Sequence, residues 1–332
     1  MNVVIRPVPA PPEPRAAPHP SPRLDRAKFR DPATTARGEA RASVALRGLE
    51  TLWFNTGTLC NLACANCYIE SSPTNDRLAY LTTAEVAAYL DEIARDGHPT
   101  RLIGFTGGEP FMNPDLPDML EVVLARGFDA LVLTNAMRPM AKMADRLAPL
   151  ARVGRRLQMR VSLDHPDRAV HEAERGRASW APAVAGLQWL AAHGFDVTVA
   201  GRLGFDAGGE AALRGAFARL FAELGVAVDA ADPARLVLFP EMDPAADVPE
   251  ITTACWGILD KSPDSVMCAT ARMVVKHRGH APSVAACTLL PYDDQFNLGA
   301  TLAEASRAVA LNHPHCARFC VLGGAACSSR GE

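Results

Sequence analysis

Residues 51–68 read TLWFNTGTLCNLACANCY, an apolar run followed by three closely spaced cysteines. The run Thr51–Asn55 has the composition of a buried strand. Cys60, Cys64 and Cys67 follow it with the spacing C-x3-C-x2-C. They should therefore lie on a loop at the carboxyl end of the strand, the edge where α/β barrels carry their active sites. Three thiolates this close together can hold one soft metal centre, whereas a structural zinc ion would require a fourth ligand nearby.

Beyond this segment, short apolar runs alternate with segments that favour helices. This alternation predicts parallel βαβ units. Six such units are too few for a closed eight-stranded barrel. The predicted fold class is therefore α/β, an open, TIM-like partial (β/α)6 barrel. We predict strands at 51–55, 101–106, 130–134, 157–163, 196–202 and 235–239, and helices at 82–95, 116–126, 140–150, 180–193 and 210–224.

The nine cysteines of the 332 residues fall into two groups, three at 60–67 and six between 255 and 327. An odd number of cysteines and an N-terminus without an apolar core argue against a secreted disulfide scaffold, so we expect a cytoplasmic protein. The net charge is −3, which does not suggest a nucleic-acid partner. No apolar run reaches the ~18–20 residues that span a bilayer, so no membrane partner is expected.

Composition divides the chain into three parts. Nine of the 26 prolines lie within the first 32 residues, which predicts that residues 1–47 form a disordered Pro- and Arg-rich arm. Residues 48–245 form the predicted core domain. Residues 246–332 form a small Cys-rich module, which needs a metal or disulfides because it is too small for an apolar core of its own. In this module we predict a hairpin of 271–277 with 283–289 and a helix at 301–311.

A second motif follows the second predicted strand, at the same edge of the sheet. Residues 107–110 read Gly-Gly-Glu-Pro. Two glycines allow the backbone to approach a ligand closely. The carboxylate of Glu109 and exposed carbonyl groups beside it could hold an ammonium group.

The motifs CNLACANCY and GGEP, in this order on a βα frame, resemble the radical S-adenosylmethionine (SAM) superfamily over about residues 49–240. The resemblance implies that the three cysteines of the first group ligate a [4Fe–4S] cluster whose open iron binds SAM. It also implies SAM contacts from the backbone at Tyr68, which would meet adenine, and from Gly107, Gly108 and Glu109, which would meet the methionine amino group.

A third stretch carries the resemblance further. Ser162-Leu163-Asp164, His171 and Arg175-Gly176 are similar to the SLDG…H…RG stretch of the peptide-modifying branch, with His165 where glycine is usual. The resemblance implies that Ser162 and Arg175 hold the SAM carboxylate. From the residues alone, the serine could equally cap the next turn and the arginine could form a surface ion pair.

The later cysteines resemble the SPASM or truncated twitch extension of radical SAM enzymes, which binds auxiliary [4Fe–4S] clusters. A cluster usually takes four cysteines, so six complete one auxiliary cluster but not two. Zinc is the alternative, because four cysteines also suit that ion. The predicted ligands are Cys268, Cys287, Cys316 and Cys320, with Cys327 and Cys255 as alternates.

The resemblance implies an enzyme that reductively cleaves SAM to a 5′-deoxyadenosyl radical, which abstracts hydrogen from a substrate. We predict a peptide or protein side chain as substrate, and a flavodoxin or ferredoxin as low-potential electron donor. A small molecule of cofactor or natural-product biosynthesis is the alternative substrate. A non-catalytic iron–sulfur or zinc redox sensor is the alternative of another class, but it leaves the GGEP motif unexplained. No catalytic residue is assigned; candidate proton or hydrogen donors are Asp164, Tyr292, Asp293, Asp294 and the spare cysteines.

Overall fold

A mostly parallel β-sheet organises the chain. The computed structural model describes residues 22–204, 208–240, 243 and 245–324. Its strands are β1 Ser43–Val44, β2 Thr51–Asn55, β3 Leu102–Thr106, β4 Asp129–Thr134, β5 Leu157–Ser162, β6 Asp196–Arg202, β7 Leu236–Phe239, β8 Ala271–Val275, β9 Ser283–Ala285 and β10 Val309–Ala310. Its α-helices are α1 Thr83–Asp96, α2 Leu116–Ala125, α3 Arg138–Ala141, α4 Ala144–Leu147, α5 Arg168–Arg175, α6 Trp180–Ala192, α7 Gly209–Leu224 and α8 Cys255–Ile258.

The main sheet has the strand order β7-β6-β5-β4-β3-β2-β8-β9. Every neighbouring pair from β7 to β8 is parallel, and β9 is antiparallel to β8. Helices connect β2 to β7 in sequence, so the carboxyl ends of these six strands meet at one edge. The predicted partial (β/α)6 barrel is confirmed, and its six strands agree with the predicted ones to within one residue at each end.

Helix α1 shows how the local sequence specifies an element of this frame. Thr82 and Glu85 form a reciprocal capping box at its start, and Gly97 ends it in the left-handed conformation. Four apolar side chains at helical spacing form the face that is buried against the sheet. They are Val86, Tyr89, Leu90 and Ile93.

One helical prediction of the core domain is corrected, and one helix was not predicted. The continuous helix predicted at 140–150 is instead α3, α4 and a run of 3₁₀ turns over Ala148–Arg156. Pro149 explains why α4 ends at Leu147, because proline lacks the N–H that would continue the helix and its ring clashes with the preceding turn. Helix α5 was not predicted, because its sequence RAVHEAER has too few apolar residues; the Asp167 carboxylate caps it by accepting from two backbone amides.

The C-terminal part differs from prediction in one element. The hairpin is confirmed as β8 and β9, although β9 is shorter than predicted. The helix predicted at 301–311 is wrong: only Glu304–Ser306 form a helical turn, and Val309–Ala310 form strand β10. This strand pairs with β1, where Val44 and Val309 are both buried, so strand pairing replaces the helix.

The N-terminal segment also differs from prediction. Residues 1–21 lie outside the described residues, but residues 22–47 are packed against the rest of the chain, so a disordered arm is wrong for them. Arg41 is buried and forms an ion pair with Glu250 at 2.5 Å, and the Ala42 amide donates to the Ile251 carbonyl. Among the described helices none is long and apolar enough to cross a bilayer.

Candidate active site and C-terminal cysteine site

The loop that carries the first three cysteines lies directly on the glycine pair that follows β3. The Gly108 amide donates to the Gly57 carbonyl at 2.8 Å, and the Glu109 amide donates to the Leu59 carbonyl at 3.1 Å. A Cβ on Gly108 would lie 2.3 Å from the Leu59 carbonyl oxygen, and one on Gly107 would lie 2.5 Å from that of Gly57. Both glycines are therefore required for close packing of the cysteine loop, in addition to any contact with a ligand.

A cavity opens at the carboxyl ends of the parallel strands. All but one of the residues predicted to bind the first cluster or SAM line it, so the cysteine loop, the turn after β3, the end of β5 and the end of α5 meet at one space. The predicted residues that line it are Cys60, Cys64, Cys67, Tyr68, Gly107, Gly108, Ser162 and Arg175.

Glu109 is the exception, because the described lining of this cavity does not include it. Its buried carboxylate accepts from the Thr134 hydroxyl at 2.7 Å and from the amides of Asn135 and Phe111 at 2.8 and 3.2 Å. Burial raises the pKa of Glu109 to about 7, although these donors and Arg175 oppose the rise. Glu109 thus joins the end of β3 to the end of β4, and its contact with a SAM amino group remains a prediction.

Arg175 and Asp164 form a bidentate ion pair at the wall of the cavity. Arg175 Nε and Nη2 donate to the two Asp164 carboxylate oxygens at 2.8 and 2.9 Å. Asp164 is buried; burial raises its pKa, but Arg175 reverses the effect and lowers it overall. The pair therefore keeps a guanidinium in fixed orientation inside the cavity, unlike the surface ion pair that was the alternative for Arg175.

The three cysteines suit a soft, positively charged centre. Burial raises the pKa of the Cys60 thiol to about 12 and also raises that of Cys64, because a buried thiolate is costly unless a cation supplies the compensating charge. Iron supplies that charge and deprotonates the thiols it coordinates. The Leu62 amide points at Cys60 Sγ at 3.4 Å and the Ser71 amide at Cys67 Sγ at 3.3 Å, which are hydrogen bonds that a thiolate accepts well. The residues present therefore fit a [4Fe–4S] cluster.

Several cavity residues were missed by sequence reasoning. Arg160 is fully buried and shares the inner face of β5 with Ser162, two residues on. The period-2 alternation of the strand was the signal that could have identified it. The other missed residues lie at the ends of neighbouring strands or on the cysteine loop; they include Asn66, Arg202 and Phe239.

The later cysteines form a second site within the C-terminal part. The four predicted ligands Cys268, Cys287, Cys316 and Cys320 line a single apolar cavity. Burial raises the pKa of Cys268 to about 11 and that of Cys316 well above its usual value. No group of three His, Cys, Asp or Glu side chains within the described ranges is arranged to hold a single metal ion.

Cys255, one of the two alternate ligands, does not line this cavity. Cys255 lies on α8, where its sulfur accepts from the Thr252 amide at 3.3 Å, and it is absent from the described lining of the second cavity. Cys327 lies outside the described residues.

Comparison with known proteins agrees with this geometry. The Radical SAM superfamily profile matches residues 54–207. Mycofactocin maturase MftC of Mycobacterium ulcerans is 34% identical over 136 residues, 41% of this chain and 35% of that protein. The antilisterial bacteriocin subtilosin biosynthesis protein AlbA of Bacillus subtilis is 34% identical over 142 residues, 42% of this chain and 30% of that protein. The matches thus span about a third of these relatives.

A solved structure extends the likeness of fold beyond the matched domain. Streptococcus suis SuiB, bound to its precursor peptide SuiA, aligns with a TM-score of 0.56 and 13% identity over 77% of this chain and 63% of that chain. The shared partial barrel, the three-cysteine loop at its carboxyl edge and the match over residues 54–207 agree with one another. Residues 54–207 of this chain therefore match the radical SAM superfamily.

Proposed function

We propose that this chain is a radical SAM enzyme that acts on a peptide or protein side chain. The observation that carries the proposal is that Cys60, Cys64 and Cys67 open onto the same cavity as Ser162 and the Asp164–Arg175 pair. We call the [4Fe–4S] cluster that these cysteines would hold the SAM cluster. A reduced cluster of this kind supplies one electron to SAM, and the resulting 5′-deoxyadenosyl radical removes hydrogen from a substrate.

In this proposal, the residues of the chain bind SAM and orient it. Asp164 fixes the Arg175 guanidinium, whose remaining N–H groups would bind the SAM carboxylate together with the Ser162 hydroxyl. The backbone at Gly107 and Gly108 would accept from the SAM amino group, and that at Tyr68 would contact adenine. Preorganised charges in an enclosed site lose little energy to reorganisation, which favours binding in one orientation.

The peptide substrate is supported by the similarity to a maturase and to a bacteriocin biosynthesis protein. It is also supported by a fold shared with a protein that binds a precursor peptide. A short peptide encoded beside this gene is the probe for this class. A change in its mass that requires both SAM and reductant would support the proposal. Formation of 5′-deoxyadenosine with an unchanged peptide would favour the small-molecule alternative.

We propose that Cys268, Cys287, Cys316 and Cys320 hold one auxiliary [4Fe–4S] cluster in a SPASM- or twitch-like module. Their position around one apolar cavity supports this assignment, because burial suits a thiolate only when a metal compensates its charge. About eight irons per anaerobically purified chain would support two clusters, and about four would contradict the auxiliary cluster. A flavodoxin or ferredoxin would supply the electron for the SAM cluster.

The activity is tested with the reconstituted protein, dithionite and SAM under anaerobic conditions. We expect 5′-deoxyadenosine from the natural chain. The variant Cys64→Ala should lose the SAM cluster and all SAM cleavage, because two cysteines remain for three irons. Absence of 5′-deoxyadenosine from natural protein with full iron content would reject the enzyme. Cleavage by Cys64→Ala would show that the site is misassigned.

A further inference from the structure

A connecting segment, residues 69–78, joins the cysteine loop to the C-terminal hairpin. It begins directly after Tyr68 and ends beside β8. There the Ala79 amide donates to the Lys276 carbonyl at 2.7 Å, and the Arg278 amide donates to the Arg77 carbonyl at 2.9 Å. The cysteine loop is thus attached to the C-terminal part of the chain through only a few residues.

Tyr292, five residues after Cys287, contacts both ends of the connecting segment. Its hydroxyl donates to the Ile69 carbonyl at 3.0 Å, and the Asn75 side-chain amide approaches the same hydroxyl at 3.5 Å. The Arg77 guanidinium lies over its ring at 3.6 Å from the centroid. The ring and hydroxyl of one side chain therefore fix the path of the segment next to the cysteine loop.

The turn that Tyr292 holds places a backbone donor on a cysteine sulfur. Glu70 has φ of 52°, a left-handed conformation that a residue with a side chain seldom adopts without support from its surroundings. In this turn the Glu70 amide donates to the Cys67 carbonyl at 2.9 Å and the Ser71 amide to Cys67 Sγ at 3.3 Å. The Ser71 contact thus depends on the position of Ile69, which the Tyr292 hydroxyl holds.

Hydrogen bonds to cluster sulfurs are among the features that set the reduction potential of an iron–sulfur cluster. A donor stabilises the reduced state, which carries more negative charge, and so raises the potential. We propose that Tyr292 is a positioning residue that fixes the Ser71–Cys67 hydrogen bond and thereby lets the C-terminal module adjust the reduction potential of the SAM cluster. This inference rests on the proposed function, because it requires that Cys60, Cys64 and Cys67 hold that cluster.

The test compares Tyr292→Phe with Tyr89→Phe. The Tyr89 hydroxyl also joins the core domain to the C-terminal part, by donating to the Ala300 carbonyl at 2.8 Å, but from α1 and not from the connecting segment. Redox titration followed by electron paramagnetic resonance gives the midpoint potential of the signal that SAM perturbs. We expect this potential to fall in Tyr292→Phe and to stay unchanged in Tyr89→Phe. An unchanged potential in both variants would overturn the inference.

Hydrogen exchange gives a readout that needs no cluster. The amides of residues 69–77 should exchange about fivefold faster in Tyr292→Phe than in Tyr89→Phe, the factor that corresponds to the net free energy of one hydrogen bond. Arg77→Ala, which removes the cation over the ring and the largely exposed Arg77–Glu70 ion pair, should give a smaller increase in the same peptide. Equal exchange rates in all three variants would overturn the inference. The proposed function would still stand in that case, provided that the natural chain cleaves SAM. Absence of that cleavage would contradict the proposed function itself.

Discussion

His171 lies on α5, four residues before Arg175, and its side chain is fully buried. Neither ring nitrogen has a hydrogen-bond partner among the described residues, and the ring packs edge-on against Trp180 at 5.4 Å. Burial and the nearby Arg175 lower the pKa of His171 to about 4, against an opposing effect of Asp164. Near neutral pH the imidazole is therefore an uncharged packing group behind the cavity wall.

This histidine should make the fold sensitive to acid. Its pKa is lower in the folded chain than in the unfolded one, so its contribution is complete above the unfolded value of about 6.5. The contribution decreases as the pH falls towards about 4. Between pH 7.5 and pH 5 we expect the natural chain to lose on the order of 1–2 kcal/mol of stability relative to His171→Phe. Urea unfolding of both proteins at the two pH values measures the difference, and parallel pH profiles would contradict it.

At the scale of elements, the site depends on how the cysteine loop after β2 packs against the turn after β3. The contact is between backbones, since Gly108 meets the Leu59 carbonyl with no room for a Cβ. The residues that follow are also fixed, because the Glu109 side chain caps the 3₁₀ turn Pro110–Met112 by accepting from the Phe111 amide. The turn after β3 therefore supports the backbone of the cysteine loop by direct contact.

Gly108→Ala should displace the cysteine loop. The added methyl group would overlap a backbone oxygen that no rotamer change can move, so we expect a loss of about 1–3 kcal/mol and reduced iron binding. Gly215→Ala is the matched control within α7, where the nearest atom to a new Cβ is 3.8 Å away in the flexible Arg219 side chain. There the same change should stabilise by up to about 1 kcal/mol. Thermal unfolding and iron analysis of the two variants check these expectations. Equal effects of the two substitutions would show that the close contact at Gly108 is not needed.

At the scale of the whole molecule, Glu250 joins the N-terminal segment to the C-terminal part. Its carboxylate accepts from the amides of Phe29 and Ala36, both at 2.7 Å, and from the buried Arg41 guanidinium. The same two parts meet again where β1 pairs with β10. The N-terminal segment and the C-terminal part are therefore held together at two places.

Removal of the Glu250 contacts should lower the free energy of unfolding considerably. Glu250→Ala leaves the Arg41 guanidinium buried without its carboxylate, and such a loss typically costs about 3–5 kcal/mol. Lys28→Ala is the control in the same interface, because the Lys28–Asp247 pair is partly exposed and should contribute at most about 1 kcal/mol. Urea denaturation gives both free energies of unfolding. Similar values for the two variants would show that the Glu250 contacts are not a specific junction.

The local sequence pattern was sufficient to predict most of the strands and helices of the barrel. Each of the six strands is a short apolar run, and glycines follow several helices, so the alternation of strand and helix could be predicted. The pattern failed where local preference and tertiary contact disagree. Helix α5 is polar and depends on its cap, Pro149 interrupts a helical run, and residues 309–310 pair with a strand more than 260 residues earlier.

The sequence by itself determined the parallel barrel and the three-cysteine loop at its carboxyl edge, because both follow from local pattern: the alternation of strand and helix segments, and the position of the cysteines directly after a strand. Only the tertiary structure decided that Cys268, Cys287, Cys316 and Cys320 share one cavity without Cys255. It also decided that the Glu109 carboxylate binds Thr134 and Asn135 at the end of β4, and that the Tyr292 hydroxyl binds Ile69 directly after the cysteine loop. These contacts join residues far apart in sequence, and spacing along a chain carries no information about which distant side chains the packed core brings together.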